Sequence, residues 1–509
     1  MIAPVRRLRS HGLLLCVALG AGCAAGAPVE PGPRAPAPEP AIVVPPPRGY
    51  PSVRIEGVPH VRQEPDFCGE ACVSMALARL GHPLDQDEVF NLSGVDPSLG
   101  RGVVTHELDR TLRRVGFDPG PVWFPVRPAS AGDELEALFA AMVADLQAGV
   151  PSIVCMHFDD APRTTEHFRL VLGYDAATDE VVYHEPARDD GAYRRMPRGL
   201  FLRLWPLKPG PDVWTAIRLR LAPTSTLDRA AAPPRAGFSD AAYAQHVLAL
   251  RRTLGPRGRD FTILVERPFV VLGDGDPSTV RAQAEHTVKW AVTRLKEAYF
   301  TRDPERLLDI WLFRDRSSYM TNVWDLFKET PTTKFGYYTS AHGALLMNIS
   351  TGAGTLVHEI VHPFVEANLP GCPPWLNEGL GSLYEQSGEE HGRIWGYTNW
   401  RLTGLQQAIR EKKVPPFEAL TSADETAFYD HDPGTNYAQA RYLLYYLQEK
   451  GLLLPFYRAY RDGRAADPTG YATLQRILGE TDMAAFQARW EAYVMDLVFP
   501  RALVVVDAR

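Results

Sequence analysis

Two helical patterns separated by a pair of prolines constrain this chain more than any other feature. Residues 355–366 read TLVHEIVHPFVE and residues 375–385 read WLNEGLGSLYE, with GCPP just before the second. Both stretches carry apolar residues at helical spacing. Pro373 and Pro374 cannot continue the first helix, so it must stop and let the chain return. The expected result is two antiparallel helices, over 355–366 and 375–387. His358 and His362 are four apart, one turn apart on one helix face. Two imidazoles so placed reach one zinc ion, and Glu359 then projects toward the metal's open side, as a base for bound water. Zinc takes a third protein ligand. Glu378, sixteen residues beyond His362, arrives on the returning helix to supply it. The competing expectations are a helix with polar residues on its wet face, or a purely structural metal site.

The chain has 509 residues, too many for one ordinary domain, and two are expected. Its 54 basic and 61 acidic residues give a net charge of -7, without a basic run to attract a polyanion, so no nucleic-acid partner is expected. At the start, Arg6, Arg7 and Arg9 precede an apolar run from Gly12 to Gly22. That pattern is an export signal, too short to span a membrane by itself. Residues 24–50 are rich in proline and alanine and form a semi-rigid spacer.

A first domain is expected over 51–221, a linker over 222–240 and a second domain over 241–509. In the first, helical patterns at 68–80, 105–116 and 132–148 precede strands at 152–158, 167–174 and 180–184. Helices followed by a sheet describe an α+β domain. In the second, strands at 262–266, 268–273, 308–314 and 344–349 surround a long helix over 278–299. From residue 355 onward the pattern is mostly helical, with further helices at 400–411, 436–449, 470–478 and 483–497.

Six cysteines stand at 16, 23, 68, 72, 155 and 372, too sparse for a disulfide scaffold. Cys68 falls at a helix start, where backbone N–H groups and the helix dipole favour a thiolate. A nucleophile there needs a histidine base and a group to orient it. His167 heads one strand and Glu185 ends the next. A hairpin around DAATDE would bring them together. Gln63 is placed to donate to an oxyanion. Cys72 and Cys155 are expected to be buried and inert.

Three resemblances follow. HEIVH followed by WLNEGL resembles the zinc metallopeptidases that use a glutamate as third ligand, the gluzincin type, which includes thermolysin and the alanyl aminopeptidases. It implies His358, His362 and Glu378 as metal ligands, Glu359 as general base, Asn377 as their support and a tyrosine or histidine for the oxyanion, here Tyr437. The aminopeptidases' motif for capturing a free amino terminus has no match, which favours an endopeptidase. Such enzymes also bind substrate backbone along an edge strand, and 344-ALLMNI-349 is the strand expected to serve. QEPDFCGEAC and HFRLVLGYD resemble the papain-like peptidases that process bacteriocin leaders (the C39 type), over about residues 60–190. That family's acid is usually an aspartate before proline. Here the pair is Glu185–Pro186. Finally, GAGC at 20–23 resembles a bacterial lipoprotein signal, implying lipidation of Cys23, a membrane tether and a place at the cell envelope. The alternative is secretion.

The expected protein is α+β: a papain-like domain followed by a mostly helical thermolysin-like domain. Its expected activity is hydrolysis of peptide bonds in peptide or protein substrates, with Zn2+ as cofactor. Two other readings stay open. One is an acyl transferase or amidase using Cys68. The other is a non-catalytic lipoprotein that binds peptides or cell-wall material through two spent enzyme folds.

Overall fold

The computed structural model describes residues 42–161, 164–210, 212–225, 227, 237–331 and 333–499. The leader, Cys23 and most of the spacer therefore lie outside the described residues. Among the described residues no helix is long and apolar enough to cross a membrane.

The N-terminal region is mixed α and β. Its helices are α1 (Cys68–Arg79), α2 (Gln86–Ser93), α3 (Thr105–Arg114), α4 (Ala131–Gln147) and the short α5 (Arg198–Leu204). Asp85 starts α2 through a capping box, each partner's carboxylate accepting the other's backbone N–H at 2.7 and 2.9 Å. The strands are β1 (Val53–Arg54), β2 (Phe117–Asp118), β3 (Trp123–Val126), β4 (Ser152–His157), β5 (Glu166–Asp175), β6 (Glu180–His184), β7 (Arg194–Pro197), β8 (Leu207–Gly210), β9 (Val213–Arg220) and β10 (Ala222–Pro223). The main sheet runs β3-β9-β4-β5-β6-β7, with β1 added on β5 and β8 on β9, while β2 and β10 pair separately. β4 and β5 are buried almost throughout because they lie at its centre. β5 and β6 form the hairpin expected around DAATDE.

The C-terminal region contains a five-stranded sheet of β11 (Thr262–Glu266), β12 (Phe269–Gly273), β13 (Leu308–Phe313), β14 (Gly336–Thr339) and β15 (Ala344–Asn348), in the order β11-β12-β13-β15-β14. Successive side chains on a strand face opposite ways, so the sheet feeds two cores. Val271, Ile310, Leu312, Leu345 and Met347 belong to the large helical core. Val270, Leu272, Trp311, Phe313 and Leu346 belong to a smaller one with α6 (Asp240–Leu254) and α9 (Arg316–Phe327). α6 joins the two regions. Its Tyr243 and Val247 enter that smaller core, and its Ala241 and Ala244 enter the N-terminal core.

Three expectations change here. The helix expected over 278–299 is α7 (Pro277–Gln283) and α8 (Trp290–Ala298) joined through a π-helical turn at Ala284–Lys289. The strand expected to be the edge, β15, is interior, held between β13 and β14. β14 is the edge, and its four residues, Gly-Tyr-Tyr-Thr, are too few to show an alternating pattern. The second helix of the hairpin ends at Leu383, and a β-hairpin of β16 (Ser387–Glu390) and β17 (Arg393–Gly396) follows.

The helical hairpin itself is α10 (Gly354–Asn368) and α11 (Pro374–Leu383). Beyond it come α12 (Arg401–Arg410), α13 (Phe417–Ser422), α14 (Glu425–Asp430), α15 (Pro433–Glu449), α16 (Leu453–Gly463), α17 (Tyr471–Leu478) and α18 (Met483–Asp496). Trp375 seats α11. It is fully buried and donates its indole N–H to the Thr469 carbonyl at 2.8 Å. Burying an aromatic of this size stabilises by about 3 kcal/mol. Two glycines allow close approach. A Cβ at Gly354 would lie 2.1 Å from the Glu385 carbonyl oxygen, and one at Gly381 would lie 3.1 Å from three atoms of the His358 ring. Those contacts press α10 and α11 together where the histidines sit.

Candidate metal centre and candidate thiol site

On α10, His358 and His362 face the same way, with ring centroids 4.9 Å apart. α11 returns beside them and brings Glu378. Its Oε2 lies 3.1 Å from His358 Nε2 and 4.0 Å from His362 Nε2. Glu359 Oε2 lies 3.8 Å from His362 Nε2 and accepts the Tyr338 backbone N–H from edge strand β14 at 3.0 Å. His358, Glu359 and His362 offer ligand atoms within 4.8 Å of one another, a cluster able to hold a metal ion.

Each imidazole is also held from behind. His362 Nδ1 donates to Asn377 Oδ1 at 3.0 Å. His358 Nδ1 lies 3.2 Å from Glu385 Oε1, close but off the line of a well-aligned hydrogen bond. Nε2 of each ring faces the shared point, where His358 Nε2 lies 3.1 Å from the Glu378 carboxylate; against burial, Glu378 and then Glu385 push this imidazole up to about 10. Glu385 in turn accepts from Asn399 Nδ2 at 3.0 Å and from Arg401 at 2.9 and 2.7 Å. Burial works against its charge, and Arg401 and then His358 hold its carboxyl down to about 2. Glu378 is likewise held low against burial, by His362 first and then by His358 and Tyr429. Burial pushes Glu359 up.

His358, Glu359, His362, Asn377 and Glu378 line a cleft of about 820 Å³. Tyr437, from the second turn of α15, stacks near His358 with ring centroids 6.5 Å apart. Burial and then Glu378 push its hydroxyl well up. The tyrosine bonded to Glu378 is Tyr429 on α14, donating to Oε1 at 2.7 Å. Sequence reasoning missed Glu385, Arg401 and Tyr429. Glu385 ends the quoted stretch SLYE, but its partners at 399 and 401 follow an intervening hairpin, and nothing local ties them to it.

In the N-terminal region, Cys68 is the first residue of α1 and lies against Phe168, the residue after His167. The expectation of a thiolate is corrected here. Crowding by protein atoms pushes the thiol up to about 12, and Glu70 and Asp66 add to that rise. The Phe168 and Gly69 backbone N–H groups offset only part of it. Removal from water outweighs the helix terminus. His167 and Glu185 do meet, with Nε2 2.5 Å from Oε1. Burial opposes the charge on Glu185, and His167 followed by Arg169 holds its carboxyl down to about 2. Arg169, also missed, donates to Glu185 Oε2 at 2.7 Å. Its signal was a charge inside the apolar run HFRLVLGY. Gln63 is tied to the same corner, its backbone N–H donating to the Pro186 carbonyl at 2.8 Å. Among the described residues its side-chain oxygen is buried without a partner. Cys72 and Cys155 are buried.

Comparison with known proteins adds one assignment. Residues 55–208 match the model of the Peptidase_C39 like family. No curated protein matches the chain. The architecture is α+β, with a papain-like N-terminal region and a mainly helical, thermolysin-like C-terminal region. The chain is a two-domain protein that joins a C39-like peptidase fold to a His-Glu-x-x-His metal-binding motif.

Proposed function

We propose that this protein is an exported peptidase with two hydrolytic sites, a zinc site on α10 and α11 and a Cys-His-Glu site in the N-terminal domain. In this reading the domains span 51–221 and 241–509, joined by a linker at 222–240, and Cys23 carries a lipid anchor at the cell envelope. The observation that carries it is the convergence of two imidazole Nε2 atoms and one carboxylate oxygen at 3.1 and 4.0 Å. Ligands on a tetrahedral zinc stand about 3.3 Å apart, given bonds of about 2.0–2.1 Å. A nitrogen and carboxylate donor set held from behind suits that ion.

Bound there, zinc would polarise the scissile carbonyl and lower the pKa of its water. His358, His362 and Glu378 hold it. Glu359 takes the water's proton and passes it to the leaving amine. Tyr437 donates to the oxyanion. Asn377 and Glu385 fix the imidazoles. The cleft favours an endopeptidase. A second cavity of about 730 Å³ opens at the N-terminal end of α10, against Trp290, Phe335 and Trp400. Phe335 immediately precedes the edge strand β14, whose Tyr337 and Tyr338 line the metal cleft. A peptide lying along β14 has room beyond the metal on both sides.

In the thiol site Cys68 attacks the carbonyl, His167 takes the thiol proton, Glu185 orients the ring and Gln63 donates to the oxyanion. Because burial holds the thiol up, attack and proton transfer to His167 must be coupled.

The test is a peptide-library digest by wild type, Glu359→Gln, Cys68→Ala and the double variant, with metal content measured on each. Wild type is expected to hold one zinc per chain, lost in His358→Ala. Glu359→Gln should remove the chelator-sensitive cuts and Cys68→Ala the thiol-reagent-sensitive ones. An unchanged product pattern in all four proteins would overturn both assignments, and folded protein free of metal would favour a binding module.

A further inference from the structure

The side chain of Arg169 is buried in β5, two residues after His167 and on the same face of the strand. A buried arginine needs its whole fork satisfied. Nε donates to Glu185 Oε2 at 2.7 Å, Nη1 to the His157 carbonyl at 3.1 Å and Nη2 to the Phe158 carbonyl at 2.7 Å. The guanidinium also lies over the Phe158 and Tyr183 rings, 5.3 and 5.6 Å from their centroids. Phe158 packs edge-on against the His167 imidazole with centroids 5.2 Å apart. Glu185 and Phe158, the two groups that bound the ring, are thus both held by one side chain.

We infer that Arg169 is a positioning residue for the thiol site: it clamps Glu185 and the Phe158 backbone together and so fixes which nitrogen of His167 is left for Cys68. The inference rests on the thiol-site reading above. Arg169 also supplies a second cation beside Glu185, after His167 itself. Without it, the imidazole would carry more of the compensation for a buried carboxylate, and a proton on the base would be favoured. The other titratable groups on the elements around His167 are Cys68 on α1, which lies against Phe168, Glu166 beside that histidine on β5 and His157 on β4, paired with Glu166.

The experiment is an imidazole titration by NMR on the full-length chain with labelled histidine. The His167 signal is assigned by its loss in His167→Asn. In Arg169→Met its midpoint should rise by about one pH unit. In Arg169→Lys, which keeps the charge but not the fork, the midpoint should stay near wild type while the ring-current shift from Phe158 is lost. Cys68-dependent cleavage should lose kcat about tenfold in both variants, with KM unchanged. An unmoved midpoint in folded Arg169→Met overturns the inference. If that variant does not fold, an unchanged His167 signal in Arg169→Lys overturns it. A shifted midpoint with no Cys68-dependent cleavage in wild type upholds the clamp and counts against the peptidase reading alone.

Discussion

Removing the support behind each imidazole should weaken zinc binding by different amounts, and the structure sets the order. Glu385 is ionised and buried, and it stands 3.2 Å from His358 Nδ1. A hydrogen bond to a charged group contributes about 1.5–3 kcal/mol. This one is poorly aligned, so the lower end applies, and about 1.5 kcal/mol corresponds to about tenfold in affinity. Asn377 makes a neutral bond to His362 Nδ1 at 3.0 Å. That contributes about 0.5–1.5 kcal/mol, or about two- to tenfold, with about fivefold as the centre. Glu385→Gln should therefore weaken zinc binding about tenfold or more, and Asn377→Ala about fivefold. Arg401→Gln removes the cation that offsets the buried Glu385 charge, at 2.9 and 2.7 Å, so His358 should hold a proton more firmly and zinc binding near neutral pH should weaken. The assay is competition with a chromophoric chelator near neutral pH, which reads affinity without activity. Wild-type affinity in both Glu385→Gln and Asn377→Ala would refute the reasoning, as would a tighter site in Arg401→Gln.

Four further substitutions test individual residues. Gly381→Ala places a Cβ 3.1 Å from the His358 ring; zinc affinity should fall about tenfold, while the melting temperature holds or rises, since alanine gains about 1 kcal/mol over glycine in a helix. A lowered melting temperature with unchanged zinc affinity would contradict this. Tyr437→Phe should lower kcat about a hundredfold at constant zinc affinity, whereas Tyr429→Phe, which loses the 2.7 Å bond to Glu378, should act mainly on zinc affinity; steady-state kinetics beside metal titration would expose the reverse assignment. Burial pushes Glu70 up to about 8 from an ordinary carboxylate value near 4.5. The folded state therefore binds this proton more firmly than the unfolded one, so the associated stability is complete below about pH 4.5 and is lost as pH rises through about 8, on the order of 5 kcal/mol in all. Thermal melts across that range should show the loss in wild type and a flatter profile in Glu70→Gln; parallel profiles would remove Glu70 as the cause.

The features readable in sequence were those written locally. Histidines four apart and prolines that stop a helix are local patterns, and α10 and α11 follow from them. The meeting of His167 with Glu185 needed one further step, a hairpin whose turn was visible in the chain. What sequence hid depends on chain reversals that composition does not announce. Edge strand β14 is four residues long, and a strand that short carries too little alternation to be read. Arg401 reaches Glu385 only because the β16–β17 hairpin folds back between them. The thiol at Cys68 was misjudged for a different reason. A helix terminus can be read from sequence, but the depth of protein around it cannot, and depth decided the balance.

The two sites solve one electrostatic problem with opposite nitrogens. A histidine serves as ligand or base only while neutral, yet it is oriented best by a carboxylate, which favours its protonation. Each site adds an arginine to the carboxylate's free side: Arg401 on Glu385 and Arg169 on Glu185, closest at 2.7 Å in both. The cation offsets the charge of a buried acid and so weakens its pull on the imidazole's proton, although at His358 burial is outweighed by Glu378 and then Glu385, which push the ring up to about 10. Which nitrogen is then offered depends on the side from which the acid approaches. At His358, Glu385 lies against Nδ1 and leaves Nε2 to the metal point. At His167, Glu185 takes Nε2 and leaves Nδ1 as the nitrogen for a thiol. The helix presents its histidines to a partner behind α10, and the strand presents its own to the end of the next strand, so the different chemistries follow from backbone direction.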